Sequence, residues 1–106
     1  MVNNDREGRS YSMKIVGLYT PGKAWKEGKP HTEQGLVPHR DYLVEHFGEN
    51  IIAIGPFIDH TGGLFIFEAE SIESIKDIID NDPAIVEQIF EVKLYPWEPL
   101  IGVFNQ

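Results

Sequence analysis

At 106 residues, 42% hydrophobic and 25% charged, the chain has the length of one domain and the material for a single core. Nine basic residues stand against seventeen acidic ones; the net charge of −8 repels phosphate backbones and argues against nucleic acid as a partner. With no cysteine there is neither a disulfide framework nor a thiolate metal site, and no apolar run reaches the length of a membrane span.

Residues 1–12 are polar and lack the apolar stretch of a signal peptide, so they read as a flexible N-terminal tail on a cytoplasmic protein. Residues 13–106 read as a single α+β domain. Residues 14–20 form a first strand, with Ile15 and Tyr19 on one side and Val16 and Leu18 on the other. Pro21-Gly22 stops it. The connection over 21–35, built around Trp25, is long enough to be either a lid or a flexible insert whose tryptophan packs on the domain surface. A helix follows over 36–47, with Leu36, Leu43 and Phe47 facing the sheet, Pro38 in its first turn and Gly48 as its stop.

The stretch 51–69 organises the rest. Residues 51–58 are almost wholly apolar, and 63–69 place Leu64 and Ile66 on one face and Phe65 and Phe67 on the other. Asp59-His60-Thr61-Gly62-Gly63 joins them as a hairpin turn. Strands that do not alternate apolar with polar residues predict a sheet covered on both faces. Ser71 caps a second helix with Ile72, Ile75, Ile78 and Ile79 inward, and Asn81-Asp82-Pro83 ends it. After a short turn over 83–87 comes a last strand over 88–95, which Pro96-Trp97 breaks. A C-terminal extension over 97–106 carries an apolar tail, 100–104, that is expected to pack on a neighbouring subunit.

The order β-α-β-β-α-β, with right-handed crossovers, predicts a ferredoxin-like, four-stranded antiparallel sheet with both helices on one face. The apolar second face then predicts face-to-face pairing into a dimeric α+β barrel, hence a homodimer or higher homo-oligomer.

No nucleophile elbow, P-loop or zinc-protease motif is present. What remains is four histidines, His31, His39, His46 and His60, with Asp59 and Asp82 at element ends. A carboxylate beside an imidazole fixes its tautomer and raises its basicity, so the other nitrogen can take or give a proton near neutral pH. That suits proton abstraction beside a carbonyl, dehydration or dehydrohalogenation. A metal site drawn from His31, His39, His46, His60 and Asp59 is the minor alternative, since none of the spacings is a recognised ligand pair; neither metal nor cofactor is expected.

Pro38-His39 at the start of the first helix, Ile54-Gly55-Pro56-Phe57 with Asp59 and Gly62-Gly63, and Asn81-Asp82-Pro83 together resemble the YCII-related (YciI-like) family. So do residues 65–69 and the closing run from Glu91 to Trp97, and the resemblance covers about Lys14 to Trp97. It implies a dimeric α+β barrel and an active-site pair of the first-helix histidine, here His39, with an aspartate, here Asp82 or Asp59. One branch of the family resembles a dehydrochlorinase of chlorinated hydroxyquinols, which implies a lyase or isomerase on a small organic substrate. The chain departs from the family pattern at Leu36, where an arginine is common, at Ala84, where an aromatic often follows Asp-Pro, and in the 21–35 loop. In the enzymatic reading His39 is the general base or acid, Arg40 or His60 binds an anionic group, and Trp25 and His31 close over the pocket. The other reading is a non-catalytic protein of the same fold that binds a small molecule or acts in assembly.

Overall fold

Gly17 lies at the centre of the sheet, and its missing side chain shapes what surrounds it. In the computed structural model, which describes residues 12–105, strand β1 (Met13–Pro21) buries Ile15, Gly17 and Tyr19 and leaves Val16 and Leu18 half-buried on its other face. A Cβ on Gly17 would stand 3.3 Å from Cε1 of Tyr19, so the glycine makes room for the tyrosine ring to lie back along the strand. Most of the flexible tail expected over 1–12 lies outside the described residues.

Helix α1 spans Val37–Phe47, strand β2 Ile51–Pro56, strand β3 Gly63–Ala69, helix α2 Ile72–Asp80, the short helix α3 Pro83–Val86 and strand β4 Phe90–Trp97. The strands form one antiparallel sheet in the order β2-β3-β1-β4, the ferredoxin-like arrangement expected from the sequence. Ile15 pairs with Phe67 and Gly17 with Phe65, so these residues share the face on which Leu43 and Phe47 of α1 and Ile75 and Ile79 of α2 are buried. Phe47 sits between Phe65 and Phe67 at ring-centre distances of 5.2 and 4.7 Å, a geometry that adds to the burial of three aromatic side chains. Ser71 caps α2 by accepting the N–H of Ser74. Among the described residues no helix is long and apolar enough to cross a membrane.

Three local expectations are corrected. The first hairpin strand stops at Pro56, and Ile58, expected inside it, is 96% exposed in the turn. The last strand runs over 90–97 and not 88–95: Pro96 pairs opposite Ile15 without breaking it, because β4 is an edge strand and one side of its backbone needs no donor. Residues 83–86 close into a helical turn because the side chain of Asp82 accepts the N–H of Ala84.

The 21–35 connection is an ordered loop. Gly22 and Ala24 donate to the carbonyls of Ile89 and Gln88, which extends the β1–β4 contact into the loop, and His31–Glu33 forms a single 3-10 turn. At its centre the buried Gln34 accepts the N–H of Lys26 at 2.8 Å and donates to the carbonyls of Lys26 and Lys29 at 2.9 and 3.0 Å. One amide thus satisfies three backbone groups. Gln34→Ala is expected to cost about 1–3 kcal/mol locally, since those groups lose their partners. Hydrogen exchange at the Lys26 amide should quicken by an order of magnitude or more while the sheet amides stay protected.

Candidate functional site

Asp82 is the residue around which the site is built. Pro83 disfavours helical geometry for the residue before it, and Asp82 has φ −57 and ψ 130, the extended entry to α3. From there one carboxylate oxygen, Oδ1, accepts the N–H of Ala84 at 2.9 Å. The other, Oδ2, lies 2.6 Å from Nδ1 of His39 in the first turn of α1, which packs beside α3. The Asp82 side chain is wholly buried and that of His39 is 12% exposed. A buried carboxylate is tolerable only with its oxygens satisfied, and both are. With Nδ1–H donating to Asp82, Nε2 is the nitrogen left to meet a ligand.

Aromatic rings hold the imidazole in place. Tyr19 and Phe90 meet His39 edge to face at 5.1 and 5.4 Å, and Trp25 stacks on Phe90 at 5.4 Å. The Tyr19 hydroxyl is buried and has no hydrogen-bond partner among the described residues. Burial, and after it the negative charge of Asp82, pushes its pKa well above the ordinary tyrosine value, so the phenol stays protonated.

His39 opens onto a cavity of about 430 Å³, a size suited to a small organic molecule. Tyr19, Phe65 and Phe90 line its depth. One wall comes from His31, Thr32, Leu36, Val37 and Arg40, the other from Ile54, Gly55, Pro56 and Gly62 to Leu64. The hairpin wall approaches closely because Gly62 has φ 139 and no side chain: a Cβ there would collide with the Tyr19 carbonyl oxygen.

Of the two candidate carboxylates, Asp82 meets His39, whereas Oδ1 of Asp59 accepts the N–H and hydroxyl of Thr61 at 3.2 and 2.6 Å within the hairpin turn. Arg40 lines the cavity and pairs with Asp41 at 3.2 Å, both well exposed. His31 lines the cavity and meets His60, Nδ1 to Nδ1, at 2.9 Å. Trp25 reaches the site through Phe90 and does not itself line the cavity. His46 is exposed two turns beyond His39, bonded to the Tyr42 carbonyl at 2.9 Å. Among the described residues, no group of three or more His, Cys, Asp or Glu side chains is placed to hold a metal ion. Sequence reasoning missed Tyr19 and Phe90 as site residues. The available signal was that Tyr19 is the one inward residue of β1 with a polar group.

Tyr19 also makes a stability prediction. Its folded pKa lies above its unfolded value near 10, so above about pH 10 the unfolded chain loses a proton that the folded chain keeps, and stability falls as pH rises. Tyr42, whose hydroxyl donates to the Ile78 carbonyl at 2.7 Å, shifts in the same direction. Tyr19→Phe removes an unpaired buried hydroxyl, so at pH 7 stability should hold or rise by up to about 1 kcal/mol. Urea unfolding at pH 7 and pH 11 should show the variant losing less stability in alkali than the parent.

The sequence model of the YCII-related domain matches residues 38–98, a span that contains both His39 and Asp82. Over 67 residues the chain is 28% identical to the uncharacterized protein YjpA of Bacillus subtilis (strain 168), covering 62% of this chain and 79% of that protein. The fold is similar to that of the 5-chloro-2-hydroxyhydroquinone dehydrochlorinase TftG from Burkholderia phenoliruptrix AC1100, solved in complex with 2,5-dihydroxybenzoquinone. The TM-score is 0.60 at 23% identity, over 79% of this chain and 93% of that one. At that identity the likeness establishes a shared fold. From the Pro38-His39 step to the end of β4, this chain belongs to the YCII-related domain family.

Proposed function

We propose that the protein is a small enzyme that moves a proton on a small organic substrate without a cofactor, as a lyase or isomerase does, with His39 as its base and acid. The observation that carries this reading is the 2.6 Å contact between Nδ1 of His39 and the wholly buried Asp82, beside a cavity that His39 lines. Asp82 holds the proton on Nδ1 and so keeps the lone pair on Nε2. Nε2 takes a proton from a carbon or hydroxyl made acidic by a neighbouring carbonyl, and the imidazolium is stabilised by the carboxylate behind it. The substrate's developing negative charge faces Arg40 at the cavity wall. A leaving group then departs with its electron pair, or the proton returns at another atom.

The largely apolar lining, with Phe65, Phe90 and Ile54 among it, favours a flat, mostly apolar molecule. The dehydrochlorinase whose fold this chain shares was solved with a hydroxylated quinone, which makes hydroxylated quinones and hydroquinones the first substrates to try. We also read the protein as a homodimer. Leu100, Ile101 and Val103 are 72%, 95% and 72% exposed in the single chain, and the sheet face opposite the helices carries Val16, Leu18 and Leu64 half-buried.

With a substrate found by such a screen, His39→Ala should lower kcat by about 10²–10⁴. Asp82→Asn, which keeps an oxygen for the Ala84 N–H, should lower kcat with little change in KM. Unchanged turnover in His39→Ala would overturn the assignment. A parent protein that binds these ligands and turns none of them over would be a binding protein. Sedimentation equilibrium at micromolar concentration should return twice the chain mass; a monomer mass would remove the dimer.

A further inference from the structure

The loop and the hairpin that supply the two walls of the cavity meet at a pair of imidazoles, of which His31 lines the cavity and His60 does not. His31 lies on the 3-10 turn of the loop that Gln34 holds in place, and His60 lies in the hairpin turn that also supplies Gly62 and Gly63 to the opposite wall. Their Nδ1 atoms are 2.9 Å apart, their ring centres 5.0 Å apart and their planes within 22°. The excess of the second distance over the first is about one ring radius on each side. The rings therefore meet edge to edge, nitrogen to nitrogen, in a hydrogen bond. His60 is held for this contact by a left-handed backbone, φ 62, which histidine tolerates better than most residues, and by donation of its N–H to the Phe57 carbonyl at 2.9 Å.

Such a contact needs one proton between the two nitrogens. Nδ1 of His60 also lies 3.4 Å from the backbone N–H of His31, which can only donate. His60 is thus the acceptor and carries its proton on Nε2, while His31 donates from Nδ1. One further proton on His31 leaves the bond in place. A proton on Nδ1 of His60 sets two N–H groups against each other and removes the acceptor for both of its donors.

We propose that His31 and His60 form a proton-operated clasp between the loop and the hairpin that wall the cavity, closed while Nδ1 of His60 is unprotonated and released when acid protonates it. The clasp rests on the reading that this cavity receives the ligand, but its state is observable without any ligand. Several charged groups of the segments that meet here are engaged elsewhere: Glu33 with Lys29 at 3.9 Å, Lys26 with the Glu33 carbonyl, Asp59 with Thr61, Arg40 with Asp41, and His39 with Asp82; Lys23 and Glu27 of the same loop make no contact with either ring. None of these contacts includes either ring, so the second proton finds no carboxylate partner in them.

Nitrogen-15 NMR of the imidazoles, with amide hydrogen exchange, tests this on the full chain between pH 8 and pH 5. At pH 8 His60 should be the Nε2–H tautomer and His31 should carry a proton on Nδ1. On acidification His60 becomes protonated on both nitrogens. Over the same interval, exchange protection at the His31 and His60 amides, corrected for the intrinsic pH effect, should fall roughly tenfold, the worth of one net hydrogen bond. In His60→Gly, where glycine keeps the left-handed turn and offers no acceptor, that protection should be low and flat across the range. An Nδ1–H tautomer of His60 at pH 8, protection that does not change with pH in the parent, or the same fall in His60→Gly would overturn the clasp. None of these results depends on turnover, so loss of the catalytic reading and loss of the clasp are separate outcomes.

Discussion

A carboxylate with no access to water needs donors, and Asp82 finds two. Its capping bond to Ala84 is the kind of interaction whose removal costs about 1 kcal/mol. Its contact with His39 is stronger, because a hydrogen bond to a buried charged group is worth about 1.5–3 kcal/mol. The pair therefore decides how α1 and α3 sit against each other, while the cap only starts α3. Because α3 packs against β4 and α1 buries Leu43 and Phe47 on the same sheet face, the same contact helps to hold His39 beside Tyr19 and Phe90.

What surrounds the pair increases its effect. Tyr19 and Phe90 close on the imidazole from two directions, and Trp25 backs Phe90, so the site is poor in mobile dipoles and its electrostatic interactions are weakly screened. The hairpin reaches this region only because Gly62 can pass the β1 backbone without a side chain. The loop reaches it because Gln34 replaces three backbone contacts that water would otherwise make. Two irregular segments are thus made rigid by different means, one by the absence of a side chain and one by a buried amide.

The opposite face of the sheet follows a different logic. It mixes half-buried Val16 and Leu18 with an ion pair, Lys14 to Glu68 at 3.3 Å, across the β1–β3 pairing. Ile66, opposite Val16, is buried on the same face, so the apolar part of the face lies beside the ion pair and not across it. At its edge Trp97 meets Phe104 at 6.0 Å, which folds the far part of the C-terminal segment back on the end of β4 while Ile101 stays exposed.

Local sequence determined most of the elements, because the signals that set them are local: alternation in β1, the isoleucine stripe and serine cap of α2, glycine after α1, and the turn residues between β2 and β3. It also narrowed the candidates for chemistry to four histidines and two aspartates at element ends, among which the family resemblance points to the histidine in the first turn of α1. It left open which aspartate, since Asp59 and Asp82 look alike from their neighbours. Their difference is tertiary: Asp82 lies 43 residues from His39 and is buried by the packing of α3 on α1, while Asp59 stays in water with a threonine two residues away to satisfy it. The same holds for Pro96, harmless only because the strand order puts β4 at an edge, and for Tyr19, an ordinary strand residue until His39 and Phe90 close over its ring. Periodicity records which way a side chain faces; only the assembled sheet and helices decide what it faces.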